Sequence, residues 1–169
     1  HAAELRRVEA ALDEAHPLAN SFGYVALGHG HKPYIIKNPG GKEYAFNPGS
    51  PERVNFGEEK YDKGYYVVSF ANGEFNAEFR STSPRPMFVE TIALEGVENA
   101  DQALVLFCEQ VVAKVDLSAG ERKPLLELKL TGKVGFHPFE LGRERLKLAL
   151  DKLVEPLHIE IKNHLSLVS

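Results

Sequence analysis

The chain is poor in the features that mark secreted, membrane-spanning or broadly nucleic-acid-coating proteins. Cys108 is its only cysteine, so no intrachain disulfide can form and a cysteine-based zinc site is excluded. That usage fits a reducing, cytoplasmic setting. The longest unbroken apolar stretch runs only from Ala103 to Cys108, far short of the ~20 residues a membrane-spanning helix needs. The N-terminus carries no basic-then-apolar signal pattern, and neither secretion nor membrane insertion is expected. There is no basic excess either: 24 acidic residues against 20 basic ones give a formal net charge of -4. That balance argues against a broad surface that binds nucleic acid by counterion release alone, so any such contact has to be local. Internal repeats and low-complexity tracts are missing as well.

What is present suits a packed protein. With 169 residues and 43% apolar content, the chain is long enough for one ordinary domain or two small ones. Leu5, Val8, Leu12 and Ala15 recur at three- and four-residue steps, which predicts an amphipathic helix over residues 2–15, stopped by Pro17. Phe22 to Leu27 reads as a short buried strand. Tyr34–Lys37 and Glu43–Phe46 flank Asn38-Pro39-Gly40-Gly41 and predict a hairpin. Tyr65–Phe70 and Glu74–Phe79 predict a second one across Asn72-Gly73, a preferred pair for a two-residue turn. Ser81 to Pro86, with its prolines and hydroxyl residues, reads as a linker. The expected division is residues 1–82 and 83–169.

Beyond the linker the pattern alternates between strand and helix. Strands are expected at Met87–Leu94, Leu125–Val134 and Leu157–Lys162, with helices over 99–115 and 138–154. Asn99 and Gln102 stand where a capping pair would, and Pro138 suits a first helical turn. Leu126, Leu128 and Leu130 alternate with Glu127, Lys129 and Thr131, so one face of this sheet is dry and the other wet. Two helices on one side of a small βαβαβ sheet is the economical arrangement. The fold class read from the pattern is α/β (α+β).

The strongest functional signal is Gly28-His29-Gly30-His31, directly after the first strand. Open sheets place ligands beyond strand C-termini. Two imidazoles two residues apart in an extended loop can turn towards neighbouring metal ions, one each. Two ions ~3.5 to 4 Å apart can clamp the attacking and leaving oxygens of a phosphodiester, provided carboxylates complete the set. Gly28 and Gly30 are expected at backbone angles open only to glycine.

The strand, the Gly-His-x-His loop, Lys32-Pro33 and Asn47-Pro48-Gly49-Ser50 together resemble the last motif block of the calcineurin-like metallophosphoesterases. The longer string from Pro48 through Ser50-Pro51-Glu52-Arg53 to Glu58, with Lys63-Gly64-Tyr65-Tyr66-Val67-Val68 after it, resembles the SbcD-type DNA double-strand-break repair nucleases. The likeness is specific over residues 22–70 and architectural beyond about 95. It implies that residues 1–82 are the C-terminal part of a metallophosphoesterase β-sandwich and residues 83–169 a capping domain. It also implies a manganese-dependent exo- and endonuclease that acts on DNA ends through metal-bound hydroxide. The implied partners are an SbcC-type ABC ATPase and a second copy of the nuclease.

By the family's pattern His29 and His31 each hold a different ion of the pair. The family's upstream ligand motifs, an Asp-x-His, a bridging Asp and an Asn-His-Asp, do not occur here. His1 precedes the loop by less than the family's further histidine would, and reads as chance or a tag remnant. The expectation is therefore a C-terminal portion without nuclease activity of its own. The alternatives are a metallophosphoesterase for another phosphodiester, and a non-catalytic binding or scaffold module with a degenerate metal loop.

Other residues read more plainly. Lys32 follows the loop and is a candidate DNA contact. Arg53 is another, with a loop-fixing role through Glu58 or Glu59 as the simpler reading. Ser50 reads as a turn former, Glu58-Glu59-Lys60 as a solvated loop, and Cys108 as a buried, inert thiol. His16, His137, His158 and His164 carry no ligand pattern.

Overall fold

A computed structural model of the protein describes residues 23–116 and 122–168. The expected helix over residues 2–15, with His1 and His16, lies outside the described residues. Among the described residues the fold is mixed α/β, with two helices and eight strands in three small sheets. The chain divides into two compact units, the first ending at Pro84 and the second beginning at Arg85. No helix among the described residues is long and apolar enough to cross a membrane.

In the first unit, β1 (Val25–Ala26) runs parallel to β3 (Glu43–Asn47), and β2 (Tyr34–Lys37) pairs antiparallel with β3 on its other edge. The first strand is shorter than its apolar run and is not buried as expected: Val25 and Ala26 form the ladder with β3, one half-buried and the other exposed, the Leu27 amide adds a bond to the Phe46 carbonyl at 2.9 Å, and Phe22 lies outside the described residues. As the central strand, β3 buries Tyr44, Ala45, Phe46 and Asn47. The second hairpin forms between β4 (Gly64–Ala71) and β5 (Glu74–Ser81). Its turn places Asn72 and Gly73 both at positive φ, 53° and 78°, the backbone that matches the twist of paired strands. Phe75 and Tyr66 of the hairpin meet Phe46 edge-on, with ring centroids 5.7 and 5.2 Å away, and Tyr24 stacks on Phe46 at 5.5 Å. Such aromatic pairs add roughly 0.5–1.5 kcal/mol each beyond the area they bury.

The second unit is a parallel sheet in the order β6 (Met87–Ala93), β7 (Leu125–Val134), β8 (His158–Leu167). The crossovers carry α1 (Ala100–Lys114) and α2 (Arg143–Leu153). Two right-handed crossovers that step in the same direction put both helices on one face. Leu126, Leu128 and Leu130 of β7 are buried against them, together with Phe107 and Val111 of α1 and Leu146 and Leu150 of α2. Register sets Glu127 beside Glu160 and Lys129 beside Lys162 on the other face, where Lys162 pairs with Glu127. Asn99 caps α1 by accepting from the Gln102 amide at 3.0 Å.

One expected element is divided. Residues 138–154 are not a single helix: a 3-10 turn at Pro138–Leu141 is followed by α2 only after Gly142, whose φ of 58° breaks the helical path. His137 caps the short turn and stacks on Phe139.

Candidate metal site on the histidine loop

The loop after β1 carries His29 and His31 on an exposed stretch, and its backbone departs from the expectation at the glycines. The left-handed conformation falls on His29, at φ 69°, not on Gly28 or Gly30. A Cβ on Gly28 would meet nothing within 4 Å, whereas one on Gly30 would lie 3.1 Å from the Asn47 amide nitrogen. Gly30 thus serves close packing, and a histidine absorbs the unusual backbone angle, which costs a non-glycine residue of order 1 kcal/mol.

The Asn47-Pro48-Gly49-Ser50 turn is the bed on which this loop lies. Asn47 Nδ2 donates to the carbonyls of Gly30 at 2.9 Å and Lys32 at 2.8 Å, one on each side of His31. Its amide nitrogen serves both carbonyls, which fixes the side chain's orientation; Oδ1 is buried and finds no donor among the described residues. The Ser50 amide donates to the His31 carbonyl at 3.3 Å. Gly49 has φ 78°, and a Cβ there would sit 2.6 Å from that same carbonyl. Only glycine lets the turn approach so closely.

Behind the loop lies a buried ion pair. Glu58, at the end of a 3-10 turn over Phe56–Glu58, is 5% exposed, and Lys63 is 1% exposed. Lys63 Nζ donates to Glu58 Oε2 at 2.6 Å, to Ser50 Oγ at 2.7 Å and to the His31 carbonyl at 3.1 Å. All three ammonium hydrogens therefore have acceptors, as a buried cation requires. Glu58 Oε1 faces His31 Nδ1 at 2.8 Å and accepts from Asn55 Nδ2 at 3.2 Å, while Oε2 also accepts from the Val54 amide at 3.3 Å. Burial pushes the Glu58 carboxyl up, but the hydrogen bonds from Lys63, His31 and Val54 and the Lys63 charge outweigh it. The net result is a carboxyl held below its usual range.

Glu58 is thus a buried anchor and not part of a solvated loop. Sequence reasoning missed this pair because its contacts to His31 span 27 and 32 residues. The only local hint was that Glu58 and Lys63 fall inside the quoted family string.

Arg53 donates from Nε to the Glu59 carbonyl at 3.1 Å, a bond within its own loop. Lys32 is exposed, with Nζ 5.8 Å from the Tyr61 ring centroid; Lys63 Nζ is 5.7 Å from the same ring. Ser50 accepts from Lys63 and donates to the Glu52 carbonyl at 2.7 Å, which uses its hydroxyl in the turn. Cys108 is half-buried, where a buried thiol was expected, and that burial pushes its thiol up.

Imidazole nitrogens suit first-row divalent cations, and a carboxylate on the far ring nitrogen, as Glu58 stands on His31 Nδ1, is the partner that orients a histidine for such a role. The donors fit a share of a metal centre. They do not make a cage, because among the described residues no group of three or more His, Cys, Asp or Glu side chains could hold an ion. Compared with known proteins, the chain matches no protein-family model, and no curated protein matches it.

Proposed function

We propose that this chain is the C-terminal portion of a metal-dependent DNA exo- and endonuclease of the SbcD type, in which His29 and His31 each ligate one of two divalent ions, manganese foremost. The observation that carries the reading is the histidine loop itself. Its second imidazole is backed by a buried carboxylate, and its backbone is pinned on both sides of His31 by Asn47. When bound, the two ions supply Lewis-acid activation of water and charge neutralisation at the scissile phosphate.

The chain's own residues orient and hold. Asn47, Ser50 and Lys63 fix the loop through its carbonyls, Glu58 holds the His31 ring, and Lys32 offers an exposed cation beside the ligands for a DNA phosphate. The remaining ligands, carboxylates among them, come from outside these 169 residues, so the chain alone does not hydrolyse phosphodiesters. The second unit acts as the capping domain, and the working assembly is a cytoplasmic homodimer with an SbcC-type ABC ATPase on DNA ends.

The test is Mn²⁺-dependent cleavage by the gene product that carries this chain, with duplex DNA ends and small phosphodiesters as competing substrates. Cleavage of DNA ends that a His31→Ala substitution abolishes is the expected result. Preference for small phosphodiesters selects another metallophosphoesterase, and lack of any hydrolysis selects a scaffold module. Robust turnover by the isolated 169-residue chain would overturn the shared-site reading.

A further inference from the structure

The contacts around Glu58 fix more than a ring position. A carboxylate paired with a buried ammonium is an acceptor only. Glu58 Oε2 faces Lys63 Nζ at 2.6 Å, and Oε1 lies 2.8 Å from His31 Nδ1. In that geometry the His31 nitrogen must be the donor, so the neutral ring carries its proton on Nδ1. The other ring nitrogen then keeps its lone pair. The His31 side chain is 43% exposed while that of Glu58 is 6% exposed, so the ring bridges from the buried pair out to solvent.

We propose that Glu58, locked by Lys63, is a positioning residue that holds neutral His31 as the Nδ1–H tautomer and presents Nε2 as its donor atom to a divalent cation. The tautomer assignment stands on the contacts alone; the cation rests on the function proposed above. Three features make the lock rigid. Lys63 is tied to the His31 carbonyl as well as to Glu58, so the same ammonium fixes the His31 backbone directly and the His31 ring through Glu58. Asn55 and the Val54 amide occupy the remaining lone pairs of the carboxylate, which leaves it no other orientation to adopt. Asn47 prevents the loop backbone from following the ring if the ring turns. A free imidazole has no such preference and must select one tautomer on binding metal; here the selection is built in before the ion arrives.

The experiment uses the intact 169-residue chain and long-range ¹H–¹⁵N correlation spectra of the histidine rings at mildly alkaline pH, followed by titration with MnCl₂ alone. The proposal expects a single Nδ1–H pattern for His31 and a mixed or Nε2–H pattern in the double variant Glu58→Gln/Lys63→Met, which removes the buried charges together. It further expects selective Mn²⁺ broadening of the His31 ring, with apparent affinity roughly 10-fold or more weaker in the double variant. An Nε2–H or mixed pattern in the unmodified chain overturns the lock, and that spectrum needs no variant to fold. Unchanged tautomer and unchanged Mn²⁺ response in the double variant overturn it as well. An Nδ1–H pattern without Mn²⁺ broadening of either His29 or His31 supports the lock and shows that the two imidazoles alone do not hold the ion; the metal reading itself then falls or stands with the His31→Ala test on the gene product.

Discussion

The two units bury opposite kinds of chemistry. In the second, fifteen buried apolar residues among those described, from β6, β7, both helices and the connections between them, form one cluster. In the first, the buried apolar cluster centres on Tyr44 and Ala45, and the buried polar or charged residues among those described, Asn47, Glu58 and Lys63, all belong here. Burying charges costs more than burying hydrocarbon and adds less net stability. A region that retains them gains a fixed arrangement of groups. In the first unit that arrangement surrounds His31.

The comparison is easiest to break at its extremes. Phe107 is fully buried in α1, and Phe107→Ala should cost about 4 kcal/mol, read as lost native-state hydrogen-exchange protection in β7. Loss of equal size in β3 would mean that the units do not differ as described. Lys63→Met leaves the Glu58 carboxylate buried beside no cation and should cost about 3 kcal/mol, this time read in the amides of β3 and the histidine loop. The double variant with Glu58→Gln should recover much of that loss.

Smaller changes sharpen the contrast. Gly49→Ala forces a side chain into a left-handed backbone and against the His31 carbonyl, at about 2 kcal/mol, with the largest shifts at the His29 and His31 backbone amides. Asn99→Ala removes the α1 cap and should cost about 1 kcal/mol, confined to the second unit in the same exchange measurement. Acidification acts on the first unit through Glu58. Its carboxyl lies lower folded than unfolded, so its stabilisation is complete above the unfolded value of ~4.3 and is lost as pH falls through the folded one. In urea unfolding, the advantage of the unmodified chain over the Glu58→Gln/Lys63→Met variant should shrink across that acid window; a constant gap would contradict the pairing.

Legibility followed the range of the interactions. The Asn72-Gly73 hairpin, the alternation in β7 and the Asn99 cap could be read because turn chemistry, strand period and capping act within a few residues. The break at Gly142 was missed because Pro138 and the apolar spacing both favour a helix, while one glycine does not announce its backbone angle. Glu58-Glu59-Lys60 looked like any solvated charge run; Glu58 turns inward because its partners arrive from His31 and Lys63.

The sequence by itself determined the alternation of elements, the two apolar patterns and the placement of two histidines after a strand, since each depends on local periodicity and turn preference. Only the tertiary structure decided that the Asn-Pro-Gly-Ser turn is the support under the histidine loop and that Lys63 and Glu58 are buried behind it. Those contacts join residues up to 32 positions apart. A charged side chain is stable in such a place only once every one of its partners has been brought there by the fold.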